Sequence, residues 1–397
     1  MRTRALCTLL LVALAACGGG AVYTRGQKAR VVAKPKLRPV RQEALRDFDA
    51  GLRALKLGGP DADQRAAERF LAATQKDPTL WEAWHDIGVL DARAGDDAGA
   101  VDAFTNALKV NPAHAPALLG RAEANRRLHR FDAARADYKE ALARDPQDVG
   151  TLLRFASMQR EANDLDGALQ SVREALRINA NDARAYVELG LLYLAGGRQE
   201  LAEFVLTKAT ELDAKSPQAW NALAMLSLAR GDDQEAFERF DQATGLDPTF
   251  RDARFNKAKV LLDAGDYARA ATELEAVVAL DAHDVDAWIA LGVAYRGQGK
   301  HPKAKETWLK VLEMAPKNAD ALWNLTVLSQ DFLQDEAGAR DYLARYMQAA
   351  GPDHPRRKEA DSRAKELGTG AAKAAPSAAS PEKPEKPAGK PGKQKSK

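Results

Sequence analysis

Residues 285–318 read VDAWIALGVAYRGQGKHPKAKETWLKVLEMAPKN, and the same 34-residue frame, laid backwards from Val285, recurs without insertion or deletion as far as Trp81. Seven repeats result. Their eighth place is always small: Gly88, Ala122, Ala156, Gly190, Ala224, Ala258 and Gly292. Their twentieth is alanine throughout, from Ala100 to Ala304, and their twenty-fourth is bulky: Phe104, Tyr138, Val172, Leu206, Phe240, Leu274 and Trp308. Small residues recur where two backbones must approach, and large ones recur where a core must be filled.

Inside each repeat, apolar residues at helical spacing occur twice, as in Trp84, Ile87, Gly88 and then Ala100, Ala103, Phe104, Ala107. That is the signature of two amphipathic helices. The turn between them is marked by Gly95, His129, Asn163, Gly197, Gly231, Gly265 and Gly299; glycine and asparagine suit a left-handed residue ending a helix, and His129 is the exception in type. Pro112, Pro146, Pro248 and Pro316 follow second helices, where a missing N–H and a fixed φ stop the helix from continuing. A single pair cannot bury its apolar faces alone, so stacked neighbours must do it.

Trp288, Leu291, Gly292, Tyr295, Ala304, Trp308 and Pro316 stand at the offsets of the tetratricopeptide repeat (TPR), which the array resembles. The resemblance implies an all-α fold, a right-handed α-solenoid of about nine helix-turn-helix repeats. Seven consecutive repeats occupy 81–318. Residues 42–80 read as a degenerate first repeat, with Ala66, Phe70, Ala73 and Pro78 in register. Residues 319–352 read as an atypical last one, in which Leu343 and Tyr346 need a one-residue shift. Residues 353–368 supply a charged helix of the kind that caps the apolar end of such a stack.

The beginning of the chain is different. Arg2 and Arg4 precede an apolar run from Ala5 to Ala16, too short to span a bilayer as a mature helix. Leu14, Ala15, Ala16 and Cys17 resemble a bacterial lipobox, which implies a signal peptide over 1–16 and a lipidated Cys17; an ordinary secretory signal and an uncleaved anchor are the alternatives. The lipoprotein resemblance implies three acyl chains, and at about 0.8 kcal/mol per buried methylene these make attachment effectively permanent. Gly18, where aspartate would favour retention in the inner membrane, points to the outer membrane. Cys7 leaves with the signal and Cys17 is consumed by lipid, so no thiol remains for a disulfide or for catalysis. Cys17 with the stretch to Arg41 forms a basic tether, 17–41, that carries seven Lys or Arg residues and no acid. Its 24 residues from Gly18 extend to at most about 80 Å, at roughly 3.3 Å each.

Residues 369–397 change to alanine, proline, lysine and glycine, a composition from which no core can be built. Seven lysines against two glutamates give this tail a charge near +5. It reads either as a solubilising tail or as a polybasic arm for anionic lipid or an acidic partner. Taking the charges of leader, tether and tail from the formal +3 leaves about −11 on residues 42–368, which argues against nucleic acid as a partner.

No catalytic constellation emerges. The chain has no phosphate-cradling glycine loop, no His-Glu-x-x-His, no paired cysteines and no nucleophile elbow. Five of the six histidines fall in predicted turns or after the last repeat, and only His85 lies within a first helix. The reading is therefore non-enzymatic, with no metal, no cofactor and no small-molecule substrate.

In proteins resembling this one, ligands lie along a groove lined by the first helices. Carried over place by place, the groove presents Leu153, Val187, Leu191, Leu194, Met225, Leu228, Phe255, Leu262, Ile289 and Val293. Arg126, Arg127, Arg154, Arg160 and Arg184 form a basic shoulder beside it. A bare apolar stripe of this length marks an interaction surface, unless its side chains pack between adjacent first helices or the tether fills it. The expected ligand is a helical or extended apolar segment with an acidic end. Asn256, Lys257 and Lys259 are too isolated to make the clamp used for chaperone tails.

These features together resemble TPR bacterial lipoproteins, among them that of myxobacterial gliding motility. They imply an adaptor anchored through Cys17 to the outer membrane, with its repeats in the periplasm. It would bind other envelope proteins and assemble a gliding or pilus/secretin machine. The alternative is a regulator or activator subunit of a peptidoglycan synthase or hydrolase.

Overall fold

The computed structural model describes residues 39–351 and 354–368. The leader 1–16, Cys17, the tether as far as Arg38 and the tail 369–397 lie outside them. Among the described residues every regular element is a helix, and none is long and apolar enough to cross a membrane. Contacts divide the chain into two compact bodies, Met1–Ala287 and Trp288–Lys397.

The first body is a succession of helix pairs: α1 (Gln42–Leu57) with α2 (Ala62–Lys76), α3 (Trp81–Arg93) with α4 (Asp97–Val110), α5 (Ala115–Arg127) with α6 (Phe131–Arg144), α7 (Val149–Glu161) with α8 (Leu165–Ile178), α9 (Ala183–Ala195) with α10 (Gln199–Leu212), α11 (Pro217–Arg230) with α12 (Asp233–Leu246), and α13 (Arg251–Asp263) with α14 (Tyr267–Leu280). Local chemistry fixes where each helix starts and stops. The carboxylates of Asp96, Asp164, Asp232 and Asp266 accept hydrogen bonds from free backbone N–H groups in the first turns of α4, α8, α12 and α14. At the turn between first and second helices, Gly95, Gly197, Gly231 and Gly265 have φ of 70–80°. His129 and Asn163 take the same left-handed conformation, at 55° and 59°. The histidine thus departs in residue type while its backbone obeys the array.

Within each pair the small eighth residue meets the large twenty-fourth. Gly88 abuts Phe104 and Gly190 abuts Leu206, while Ala122, Ala156, Ala224 and Ala258 are fully buried opposite Tyr138, Val172, Phe240 and Leu274. The alanines of the twentieth place are likewise buried. Between pairs, α3 packs on α5, α7 on α9, α9 on α11 and α11 on α13. The step from α5 to α7 is bridged by the Arg126–Glu161 ion pair, so the first helices from α3 to α13 follow one another as a wall.

The second body begins inside α15 (Val285–Gly297) and continues through α16 (His301–Met314), α17 (Ala319–Val327), a π-helical turn at Leu328–Phe332, α18 (Glu336–Ala349) and α19 (Arg357–Glu366). Trp308 is fully buried against Gly292, and its indole N–H donates to the Ile289 carbonyl at 3.0 Å. The π turn explains the phase change at the end of the array. Leu333 N–H reaches back to the Leu328 carbonyl at 3.0 Å, one residue further than an α-helix would. The left-handed residue then falls at Gln334, φ 53°, and Ala339, Leu343 and Tyr346 enter the core one place late. Helix α19 is held mainly by polar anchors. Arg363 bonds both Asp331 oxygens at 2.8 and 2.9 Å, Arg356 bonds Asp320 at 2.7 Å, and Arg340 donates to the Leu367 carbonyl at 2.8 Å.

Candidate partner-binding site

The wall of first helices places the apolar stripe in a more covered position than its composition suggests. Val187 is 7% exposed and belongs to the core with Leu206 and Leu223, so it offers nothing to a partner. Leu153 packs against the cluster around Tyr138, Leu152 and Phe155. Leu191 and Leu194 rest on the Leu206 cluster, and Met225 rests beside Phe240 and Val260. Phe255 lies beneath the Arg251 guanidinium, 4.7 Å from its ring centre, and Leu262 is half-buried. Leu228, 37% exposed, is the most open of the eight stripe residues in this body. In the second body Ile289 and Val293 are half-buried. Much of the stripe is mortar between neighbouring first helices, and the accessible part is a ledge of Leu191, Leu194, Met225 and Leu228.

Beside that ledge stands a polar pair that the repeat pattern did not single out. Asn256 donates from Nδ2 to Oδ1 of Asn221 at 3.3 Å, and Asn221 Nδ2 faces Met225 Sδ at 3.8 Å. The two asparagines occupy the fifth place of one repeat and the sixth of the next, a spacing that only the inter-helix register brings together. Lys257 is elsewhere. Its buried ammonium sits between Asp241 at 2.7 Å and Glu273 at 2.8 Å. Burial alone would lower its pKa, and the two carboxylates raise it instead.

The basic shoulder is largely spent on the chain's own acids. Arg126 holds Glu161 at 2.6 and 2.7 Å and also bonds Glu123; Arg160 bonds Glu188 at 2.8 Å. Arg127 pairs with Asp97 at 2.7 Å and Arg184 with Asp182 at 2.7 Å. Arg154 is exposed and makes no ion pair among the described residues. These pairs form a ladder from α5 through α7 to α9. Burial would raise the Glu123 pKa, but hydrogen bonds from Arg126 and from the Tyr138 hydroxyl, 2.9 Å away, bring it below the usual carboxylate value. An acidic ligand would have to compete with internal carboxylates for every shoulder arginine but Arg154.

At the start of the wall, His85, His114 and Trp81 form an aromatic corner. The imidazole rings meet edge-on at 4.8 Å and His114 lies 4.5 Å from the Trp81 ring. His85 Nδ1 is 3.0 Å from Asp86 Oδ1. Burial, helped by the neighbouring His85, pushes the His114 pKa down to about 4. Among the described residues no three His, Cys, Asp or Glu side chains are placed to share a metal ion.

Three family models match the chain: the TPR domain of cytochrome c-type biogenesis protein H over residues 195–322, the middle TPR-like domain of cilia and flagella-associated protein 70 over 122–246, and the tetratricopeptide repeat itself over 85–149. None describes a catalytic domain. No curated protein matches the sequence. Among solved structures, a tetratricopeptide repeat protein from Parabacteroides merdae superposes with a TM-score of 0.54 at 17% identity, covering 64% of this chain and 99% of the other. Yeast Tom70 superposes with a TM-score of 0.57 at 16% identity, covering 81% of this chain and 70% of the other. The described residues have the all-α fold of tetratricopeptide-repeat solenoids. This is the fold of a protein–protein interaction scaffold.

Proposed function

We propose that the protein is a lipid-anchored adaptor of the outer membrane that gathers envelope proteins on its repeats in the periplasm, as part of a gliding or pilus/secretin machine. The observation that carries the binding half is the ledge of Leu191, Leu194, Met225 and Leu228 beside the Asn221–Asn256 pair. Half-buried apolar side chains give a partner area to cover, and the half-buried amide of Asn256, held in place by Asn221, is there to pair with its backbone. Support for the anchored half is the run Leu14-Ala15-Ala16-Cys17 behind Arg2, Arg4 and an apolar stretch.

The test is a photo-crosslinking amino acid at position 228 in living cells, compared with one at the exposed Asp102 on α4. The reading expects discrete protein adducts from position 228 alone; no adduct, or the same adducts from both, would refute the ledge as the binding surface. Fractionation of Cys17→Ala is the second arm. Release from the membrane fraction is expected, and unchanged membrane association would end the anchoring half independently of the first arm.

A further inference from the structure

Helix α10 breaks the pattern of the outward-facing second helices. Phe204 is 74% exposed and Leu201 is 46% exposed. They stand at the nineteenth and twenty-second places, one turn apart on a single face. Elsewhere the twenty-second place is Asp102, Ala136, Gln170, Glu238, Thr272 and Glu306, polar in five repeats and small in the sixth. Leaving a phenylalanine three-quarters bare serves neither the core nor the ledge, which lies on the first helices. A bare aromatic with a bare leucine one turn away offers a contiguous apolar patch of the kind on which a contact with another molecule centres.

The charges around Phe204 say which molecule. Glu200 lies four residues before it and Lys208 four residues after, so each is displaced by about 6 Å along the helix in opposite directions. Among the described residues Glu200 has no ion-pair partner, because the nearby Arg230 bonds Glu203 instead, at 2.8 Å. Lys208 is 43% exposed and is paired only with the neighbouring Glu211, at 3.0 Å. If two copies of α10 lie antiparallel with the dyad at Phe204, each Lys208 comes level with the Glu200 of the other copy. Leu201 then faces the stem of that lysine, and the two phenylalanines meet at the centre. This surface is complementary to itself, as an isologous contact requires.

We propose that α10 is a self-association surface, through which two copies of the chain pair antiparallel about Phe204. This goes beyond the adaptor reading and does not depend on it. One helix face covers less than the roughly 1,200 Å² of a stable interface, so the dimer is weak and reversible in solution.

Sedimentation velocity of the full chain from about 1 to 200 μM spans the range in which a contact of this size populates. The expected result is a concentration-dependent monomer–dimer equilibrium. Phe204→Asp weakens it at least about tenfold, as loss of a central aromatic does, with an unchanged melting temperature because the ring is exposed. Glu200→Lys and Lys208→Glu each weaken association, and the double exchange restores it, since each copy again presents opposite charges to the other. A single monomeric species throughout, or dimers that survive Phe204→Asp, would overturn the proposal. A double exchange no better than the single ones would also overturn it and assign the Leu201–Phe204 face to a different protein.

Discussion

Phe104 lies so close to Gly88 that a Cβ placed on the glycine would stand 2.8 Å from two ring carbons. The helices α3 and α4 are thus pressed together at a point where one missing atom sets their separation. Gly88→Ala should lower stability by about 1–2 kcal/mol, the gain in helix propensity only partly offsetting the overpacking. Adding Phe104→Leu should recover part of that loss. Urea unfolding of the two single variants and the double variant measures the coupling, and strict additivity would show that the approach is not strained.

His129 holds a left-handed backbone at φ 55° where five of the seven repeats use glycine and the following one uses Asn163. Removing the Cβ relieves that conformation, while added freedom of the unfolded chain works against it. His129→Gly should raise stability by about 0.5–1 kcal/mol, and His129→Ala should give no gain. Thermal melts of both variants decide it.

The half-buried imidazole of His114 makes stability depend on pH. Its pKa falls from 6.5 to about 4 on folding, because burial and the adjacent His85 disfavour the charged ring. Between those values the unfolded chain binds the proton and the folded one does not, so this contribution is complete above pH 6.5 and is lost as pH falls to about 4. Allowing for partial solvent access, the loss is about 1–2 kcal/mol. His114→Phe keeps the stacking on Trp81 and should flatten the melting temperature across this interval relative to the parent. Parallel slopes would refute it.

Arg160 and Glu188 form the part of the arginine ladder with the least solvent, the glutamate being 9% exposed. Arg160→Met should cost about 2–3 kcal/mol, mostly through the carboxylate left without its partner. Combined with Glu188→Leu the cost should shrink to about 1 kcal/mol or less, because the pair itself contributes little beyond its desolvation. Denaturant midpoints of the three variants test this. A double variant as unstable as the single one would mean the ion pair itself is strongly stabilising.

The repeat was legible because its determinants are local and periodic. Gly88 with Phe104, or Gly292 with Trp308, recur at a fixed spacing that needs no knowledge of neighbours. The fate of Val187 was not legible in the same way. Its place in the repeat puts it on the first-helix wall, but whether a residue there meets water depends on how far the next helix leans over it. Charge hid the ladder for a related reason. Arg126 and Arg160 read as a free basic shoulder until Glu161 and Glu188, 35 and 28 residues away, come into bonding distance. The Asn221–Asn256 pair depends on the same inter-helix register. The one-residue slip before Leu343 was visible as a slip, but a sequence pattern alone does not distinguish a π turn from a longer loop.

That π turn at Leu328–Phe332 has a consequence for how such a chain can change in length. A helical residue inserted there rotates whatever follows by about 100°, so Tyr346 and the anchors of α19 are keyed to the α17 segment and not to the count of repeats before it. Duplicating or deleting a whole 34-residue module upstream leaves this terminal key unaltered. The array can therefore be resized while its closure is inherited intact.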